Sequence, residues 1–190
     1  RFCTSLRIWS RHRAIGFLDL RFAAHKRDDS ISENTDAAGA LITALRIAIY
    51  GGADCSAEVY EEAREIGRLL ARRGVIIYCG GLTGVMEAVS RGVSEESGTV
   101  VGILPEADAG SGNEFLTIPV ASGAGSARNV MIANSVQGAI AIDGSYGTLS
   151  EIGHTLRMGK PVVGLGTWDI EGVVAVEGPE AAVNRIMELI

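Results

Sequence analysis

From residue 46 onward the chain repeats one unit: a short apolar run rich in β-branched residues, a glycine cluster, then a stretch of helical period. A strand that is apolar throughout must be covered on both faces, and strands that alternate with helices pair in parallel. The expected fold is therefore α/β, a single doubly wound, mostly parallel Rossmann-like sheet with helices on both faces. Arg46 to Tyr50 reads as the first strand, stopped by Gly51 and Gly52. Ala57 to Arg73 follows as a helix, with Val59, Ile66, Leu69 and Leu70 near one face and Gly74 as its stop. Val75 to Tyr78 is a second strand, with a short helix running to about Arg91, and Thr99 to Leu104 is a third, ended by Pro105. The stretch from Glu106 to Gly125 is the longest irregular one and admits a strand near Phe115 to Val120. A helix over Ala127 to Val136, a strand over Ala139 to Ile142, a loop to Thr148 and a helix to Met158 come next. Val162 to Leu165 is a strand, Val173 to Val176 an edge strand, and Pro179 opens a terminal helix.

Charge narrows the partners. The 23 acidic and 17 basic residues leave a net charge of -6. Before residue 41 stand 7 of the basic and 5 of the acidic residues, so the globular part carries 10 against 18. Such an acidic domain offers no electrostatic footprint for nucleic acid or an anionic membrane, and no apolar run is long enough for a membrane span. Residues 1–40 are expected to be a flexible N-terminal extension or a fragment start. Their early arginines fit a transit peptide loosely. Residues 41–190 form the domain. Cys3, Cys55 and Cys79 lack the paired spacing of a zinc or redox site, so reduced thiols, no metal and a cytoplasmic setting are expected.

In doubly wound sheets ligands bind beyond the carboxyl ends of the strands. Two turns there stand out, Gly80-Gly81-Leu82-Thr83-Gly84 and Gly144-Ser145-Tyr146-Gly147-Thr148, each joining a buried strand to a helix start. Glycine permits close backbone approach, and free N–H groups with the helix dipole favour a phosphate or carboxylate. Neither turn matches G-x-G-x-x-G or the Walker pattern. Glycines also serve simply as tight turns, but two such turns in one sheet favour a ligand, with Gly51 and Gly52 beside them.

Single residues carry rival meanings. Glu151 is placed in the first turn of its helix, where a carboxylate can bind a ribose hydroxyl or act as general acid or base. Thr148-x-x-Glu151 is equally a capping box. Arg128 opens a helix, the less favourable end for a cation, which suggests an external anion; a surface salt bridge is the plain alternative. Asn129 is an amide ligand or a helix-surface group, Asn134 the latter. Tyr146 stacks on a ring or covers its loop, Glu87 helps the dipole or contacts ligand, and His154 is structural.

The run Tyr78-Cys79-Gly80-Gly81-Leu82-Thr83-Gly84-Val85-Met86-Glu87-Ala88, with Arg128 and Asp143 to Glu151, resembles the LOG family of Rossmann-like proteins, many once labelled lysine decarboxylases. Val101 to Pro105, Ala127-Arg128-Asn129 and Leu149-Ser150-Glu151 look most like its molybdenum-cofactor carrier branch. For LOG phosphoribohydrolases the resemblance implies a catalytic Arg and Glu, matched by Arg128 and Glu151, that cleave the N-glycosidic bond of a nucleoside 5′-monophosphate. It also implies a phosphate loop matched by Gly144, Gly147 and Thr148, and a homodimer or homotetramer.

Three positions depart from the phosphoribohydrolase pattern: Asp143 stands for its Pro, Ser145 for its second Gly and Asn129 for its usual Lys. Fewer positive charges and an added hydroxymethyl group weaken the expected grip on a nucleotide dianion. A pyridoxal-dependent decarboxylase is rejected, because Lys26 lies in the extension and Lys160 at a strand's entry end. The leading expectation is a binder of a phosphorylated heterocycle, a nucleotide or molybdenum cofactor, needing no catalytic cofactor. A phosphoribohydrolase and a non-catalytic oligomeric scaffold are the alternatives.

Overall fold

The computed structural model describes residues 44–190, so the expected extension, with Cys3 and Lys26, lies outside the described residues. The strands are β1 (Arg46–Gly51), β2 (Ile76–Cys79), β3 (Thr99–Leu104), β4 (Ile118–Ala121), β5 (Gly138–Ile142), β6 (Val162–Leu165) and β7 (Val173–Val176). The helices are α1 (Ala57–Arg72), α2 (Val85–Glu95), α3 (Arg128–Ser135), α4 (Tyr146–Arg157) and α5 (Pro179–Leu189). One sheet holds all seven strands in the order β4-β3-β2-β1-β5-β6-β7, and each neighbouring pair is parallel.

Alternation along the central strand sorts the core into two layers. Ile47 and Ile49 pack with Ile66 and Leu70 of α1, Val89 of α2 and Val183 of α5 on one face. Ala48 and Tyr50 point the other way, toward Ile132 of α3 and Ile152 of α4. Each fully buried isoleucine or leucine contributes roughly 1.5–3 kcal/mol, so this face-to-face division largely specifies the register. Helix α1 starts where the Ser56 hydroxyl accepts from the Val59 amide at 3.2 Å and ends ahead of Gly74, whose φ of +71° only glycine adopts at no cost.

Two boundaries differ from expectation in ways that matter. Helix α2 continues to Glu95, where Arg64 and Arg68 of α1 hold the carboxylate at 2.6 and 2.7 Å. Helix α4 begins at Tyr146, inside the stretch expected to be loop, with Ser145 as its N-cap. The strand order reverses at β1: later strands add on the β2 side up to β4, then on the β5 side. Chain crossovers diverge at such a point and leave a crevice at the carboxyl end. No helix among the described residues is long and apolar enough to cross a membrane.

Candidate functional site

A cleft of about 190 Å³ opens at that reversal point. Gly51, Gly52 and Ala53 reach it from the end of β1, Leu82 and Met86 from the β2–α2 connection, Arg128 and Asn129 from α3, and Ser145, Gly147, Thr148 and Glu151 from the start of α4. Of the residues picked out by sequence, Gly80, Gly81, Thr83, Gly84, Gly144 and Tyr146 do not line it. Ala53, Leu82 and Met86 were not foreseen, since apolar wall residues carry no spacing signature.

The start of α4 is chemically open. Leu149 is the first of its residues whose amide is bonded, to the Ser145 carbonyl at 3.0 Å. The amides of Tyr146, Gly147 and Thr148 donate to nothing among the described residues, and the Ser145 hydroxyl makes no cap bond. Three free donors at the positive end of a twelve-residue helix are chemically suited to an anion, and two of them, on Gly147 and Thr148, belong to residues that line the cleft. The expected capping box is therefore corrected. With Ser145 as N-cap, Thr148 lies three residues into the helix, its side chain against the bare Cα of Gly144, and Glu151 falls in the second turn rather than the first.

Arg128 and Glu151 meet inside the cleft. Arg128 is 8% exposed and Glu151 6%, and Arg128 Nη1 stands 3.6 Å from Glu151 Oε1. That separation is too long for a hydrogen bond, and Nη1, which is buried, has no hydrogen-bond partner among the described residues. The surface salt bridge considered for Arg128 is thus replaced by a buried, under-satisfied pair. Burial pushes the Glu151 carboxyl up to about 7, and Arg128 offsets part of that rise. The guanidinium lies on Gly80, where any Cβ would overlap it. Glu151 is backed by a buried chain: Thr155 Oγ1 donates to the Glu151 carbonyl at 2.8 Å, so the Tyr50 hydroxyl must donate to Thr155 Oγ1, also at 2.8 Å.

Asn129 braces two helices. Its Nδ2 donates to Ser150 Oγ at 2.8 Å and to the Gly147 carbonyl at 3.4 Å, joining α3 to the first turns of α4.

The other glycine turn is partly tied down by the protein itself, although the Met86 and Glu87 amides of α2 donate to nothing among the described residues. The Val85 amide donates to the Gly52 carbonyl at 3.0 Å, and Thr83 Oγ1 donates to the Ala53 carbonyl at 2.9 Å. Gly84 has φ +63°, and a Cβ there would stand 2.5 Å from the carbonyl oxygens of Gly52 and Ala53. Gly81 packs under Leu104 and Leu116.

Peripheral residues sort cleanly. Tyr146 is 80% exposed, with its ring 5.8 Å from that of Trp168, and Trp168 Nε1 donates to the Ser145 carbonyl at 3.3 Å. Lys160 Nζ donates to the Ala133 and Asn134 carbonyls at the end of α3, at 2.6 and 3.1 Å, at the amino end of the sheet and away from the cleft. Asn134 is exposed on the helix surface. Cys55 and Cys79 are free thiols. The described residues contain no cluster of metal-ligating side chains.

Comparison with known proteins adds a family. The sequence profile of the SLOG cluster4 family matches residues 44–188. An uncharacterized protein of Archaeoglobus fulgidus is 41% identical over 141 residues, spanning 74% of this chain and 93% of that one. Among solved structures, a molybdenum cofactor binding protein from Rippkaea orientalis superposes with a TM-score of 0.74 at 28% identity, covering 78% of this chain and 98% of that one. The molybdenum cofactor carrier protein of Chlamydomonas reinhardtii superposes with a TM-score of 0.69 at 29% identity, covering 77% and 98%.

Proposed function

The chain belongs to the SLOG cluster4 family, and from that premise we propose that it binds and carries a phosphorylated heterocycle, with the molybdenum cofactor as first candidate. The observation that carries this reading is Arg128: a buried guanidinium with an unpartnered Nη1, in the same cleft as unbonded amides of α4. A buried donor left without an acceptor costs about 1–3 kcal/mol, more when charged, and a phosphate oxygen would satisfy it. The residues therefore fit the terminal phosphate of a pterin cofactor, with Arg128 and the amides of Gly147 and Thr148 as its holders. The bound cofactor would supply its metal chemistry to a recipient, and the protein's part is to hold the phosphate. The two structural neighbours described as cofactor binder and carrier support the same reading.

Native mass spectrometry of freshly purified protein tests it directly. We expect a co-purifying small molecule of pterin-phosphate or nucleotide mass, and a higher Tm when phosphate-bearing ligands are added. A clean apoprotein whose Tm no such ligand moves sinks the proposal.

A second reading is favoured by one observation, the Glu151 carboxyl at about 7 beside Arg128. A carboxyl poised near neutrality is suited to proton transfer, and these are the positions matching the LOG catalytic pair. Against turnover stands Asp143, whose φ is +46° and whose amide donates to the Leu165 carbonyl at 3.0 Å. The proline of the phosphoribohydrolase pattern can do neither, so this turn follows a different backbone path. Incubation with AMP and cytokinin nucleotides separates the readings: carriage releases no free base or ribose 5-phosphate, and hydrolysis releases both.

A further inference from the structure

The cleft at Arg128 holds about 190 Å³, whereas pockets that enclose a whole small-molecule ligand run to ~300 Å³ and above. It seats a phosphate and a sugar-sized group, and the attached ring must go elsewhere. A second cleft of about 210 Å³ adjoins it, and Leu82 lines both. The first turn of α2 serves the two sides, with Met86 facing the phosphate cleft and Glu87 the second one.

Most polar groups in this second cleft are already engaged. Asn113 Nδ2 donates to the Leu82 carbonyl at 2.9 Å, and its Oδ1 accepts from the Phe115 amide at 3.2 Å. Ser111 Oγ donates to the Asp108 carbonyl at 2.8 Å, and Thr83 Oγ1 is spent on Ala53. Two carboxylates are the exceptions: Glu114, which makes no hydrogen bond among the described residues, and Glu87, which a neighbour orients. Glu87 Oε1 accepts from the Tyr60 hydroxyl at 3.1 Å, which orients the carboxylate, while Oε2 accepts from none of the described residues. An ionised carboxylate only accepts hydrogen bonds, so it selects an edge with adjacent N–H donors. A 2-amino-4-oxo pyrimidine ring, as in guanine or a pterin, has a ring N–H beside an amino group. Adenine places an acceptor there, and hypoxanthine has one N–H and no amino group.

We propose that the Glu87 cleft is the ring half of the site and selects heterocycles of the guanine and pterin class over adenine. This rests on the phosphate reading of the Arg128 cleft. The aromatic pair Tyr146–Trp168 is the rival platform, but its cavity beside Trp168 shares no lining residue with the phosphate cleft.

The test is calorimetric titration of the full chain, and of its Glu87→Gln and Tyr146→Ala variants, with GMP, IMP, AMP and ribose 5-phosphate. GMP should bind more tightly than AMP and IMP by between about fivefold and a hundredfold, the range for one bidentate base contact. Glu87→Gln should bring the GMP-to-AMP ratio close to one, a readout from which any general weakening cancels. GMP binding no tighter than AMP overturns the proposal, as does a ratio that survives Glu87→Gln. A ratio lost in Tyr146→Ala and kept in Glu87→Gln would move the ring to the aromatic pair, which also overturns it. If ribose 5-phosphate binds and only the ratio fails, the phosphate reading stands alone. If none of the four compounds binds, both fall.

Discussion

The two glycine-rich turns look alike in sequence and are held differently. At residues 80–84 the conformational freedom of glycine is spent on the protein: Gly84 lets the β1–α1 loop lay its carbonyls on the start of α2, and Gly80 clears a berth for Arg128. At residues 144–148 the first three amides of α4 stay unbonded, and Ser145, Gly147 and Thr148 line a cleft. Glycine makes a turn permissive, and the groups that arrive from elsewhere in the chain decide how much of it is tied down.

Substitution should expose the contrast. Gly84→Ala forces a methyl group onto two backbone carbonyls at positive φ, and we expect a loss of more than about 3 kcal/mol by chemical denaturation. A smaller loss would mean that the first turn is less tightly closed than its hydrogen bonds imply.

Next in size is Glu151. Its folded carboxyl titrates near 7 against an ordinary value of 4.5. Its stabilising effect is therefore complete below the unfolded value and is lost as pH rises through 7. Glu151→Gln should remove that decline, worth roughly 3 kcal/mol at alkaline pH. An unchanged stability–pH profile would show that the buried pair is not what loads the open side.

Arg128→Met should weaken phosphate-bearing ligands ten- to hundredfold, in line with about 1.5–3 kcal/mol for a hydrogen bond to a charged group. It should also push the Glu151 carboxyl higher, because the one lowering influence is gone. Titration calorimetry checks the first effect and carboxyl NMR the second.

Gly147→Ala is the counterpart of Gly84→Ala. A Cβ at Gly147 meets nothing within 4 Å, and alanine is the better helix former, so stability should hold or rise by up to about 1 kcal/mol. Phosphate affinity should fall, because the methyl group enters the cleft. Equal destabilisation by the two alanines would erase the distinction between the turns.

The fold was largely legible because its signal is local and redundant. Apolar runs such as Arg46–Tyr50 and Thr99–Leu104, each followed by glycine or proline, allow one arrangement of strands and helices. Boundaries failed where long-range partners intervened, as at Glu95, which arginines from α1 hold in helix. At the site, Arg128 and Glu151 stood out by residue type and resemblance. The roles of Thr148 and Asn129 did not, because Thr148-x-x-Glu151 satisfies a capping rule that the actual N-cap, Ser145, pre-empts. Asn129 spends its amide on Ser150 and Gly147 of the neighbouring helix.

Hydrophobic period and glycine placement alone determined a parallel sheet with its business end at the strand termini, since covering two apolar faces leaves few other solutions. How each glycine turn is tied down, where Arg128 finds no acceptor and how far Glu151 is pushed from its ordinary acidity were decided only by tertiary structure. Each of these depends on desolvation and on hydrogen-bond partners from residues far away in the chain, and neither is written in the local sequence.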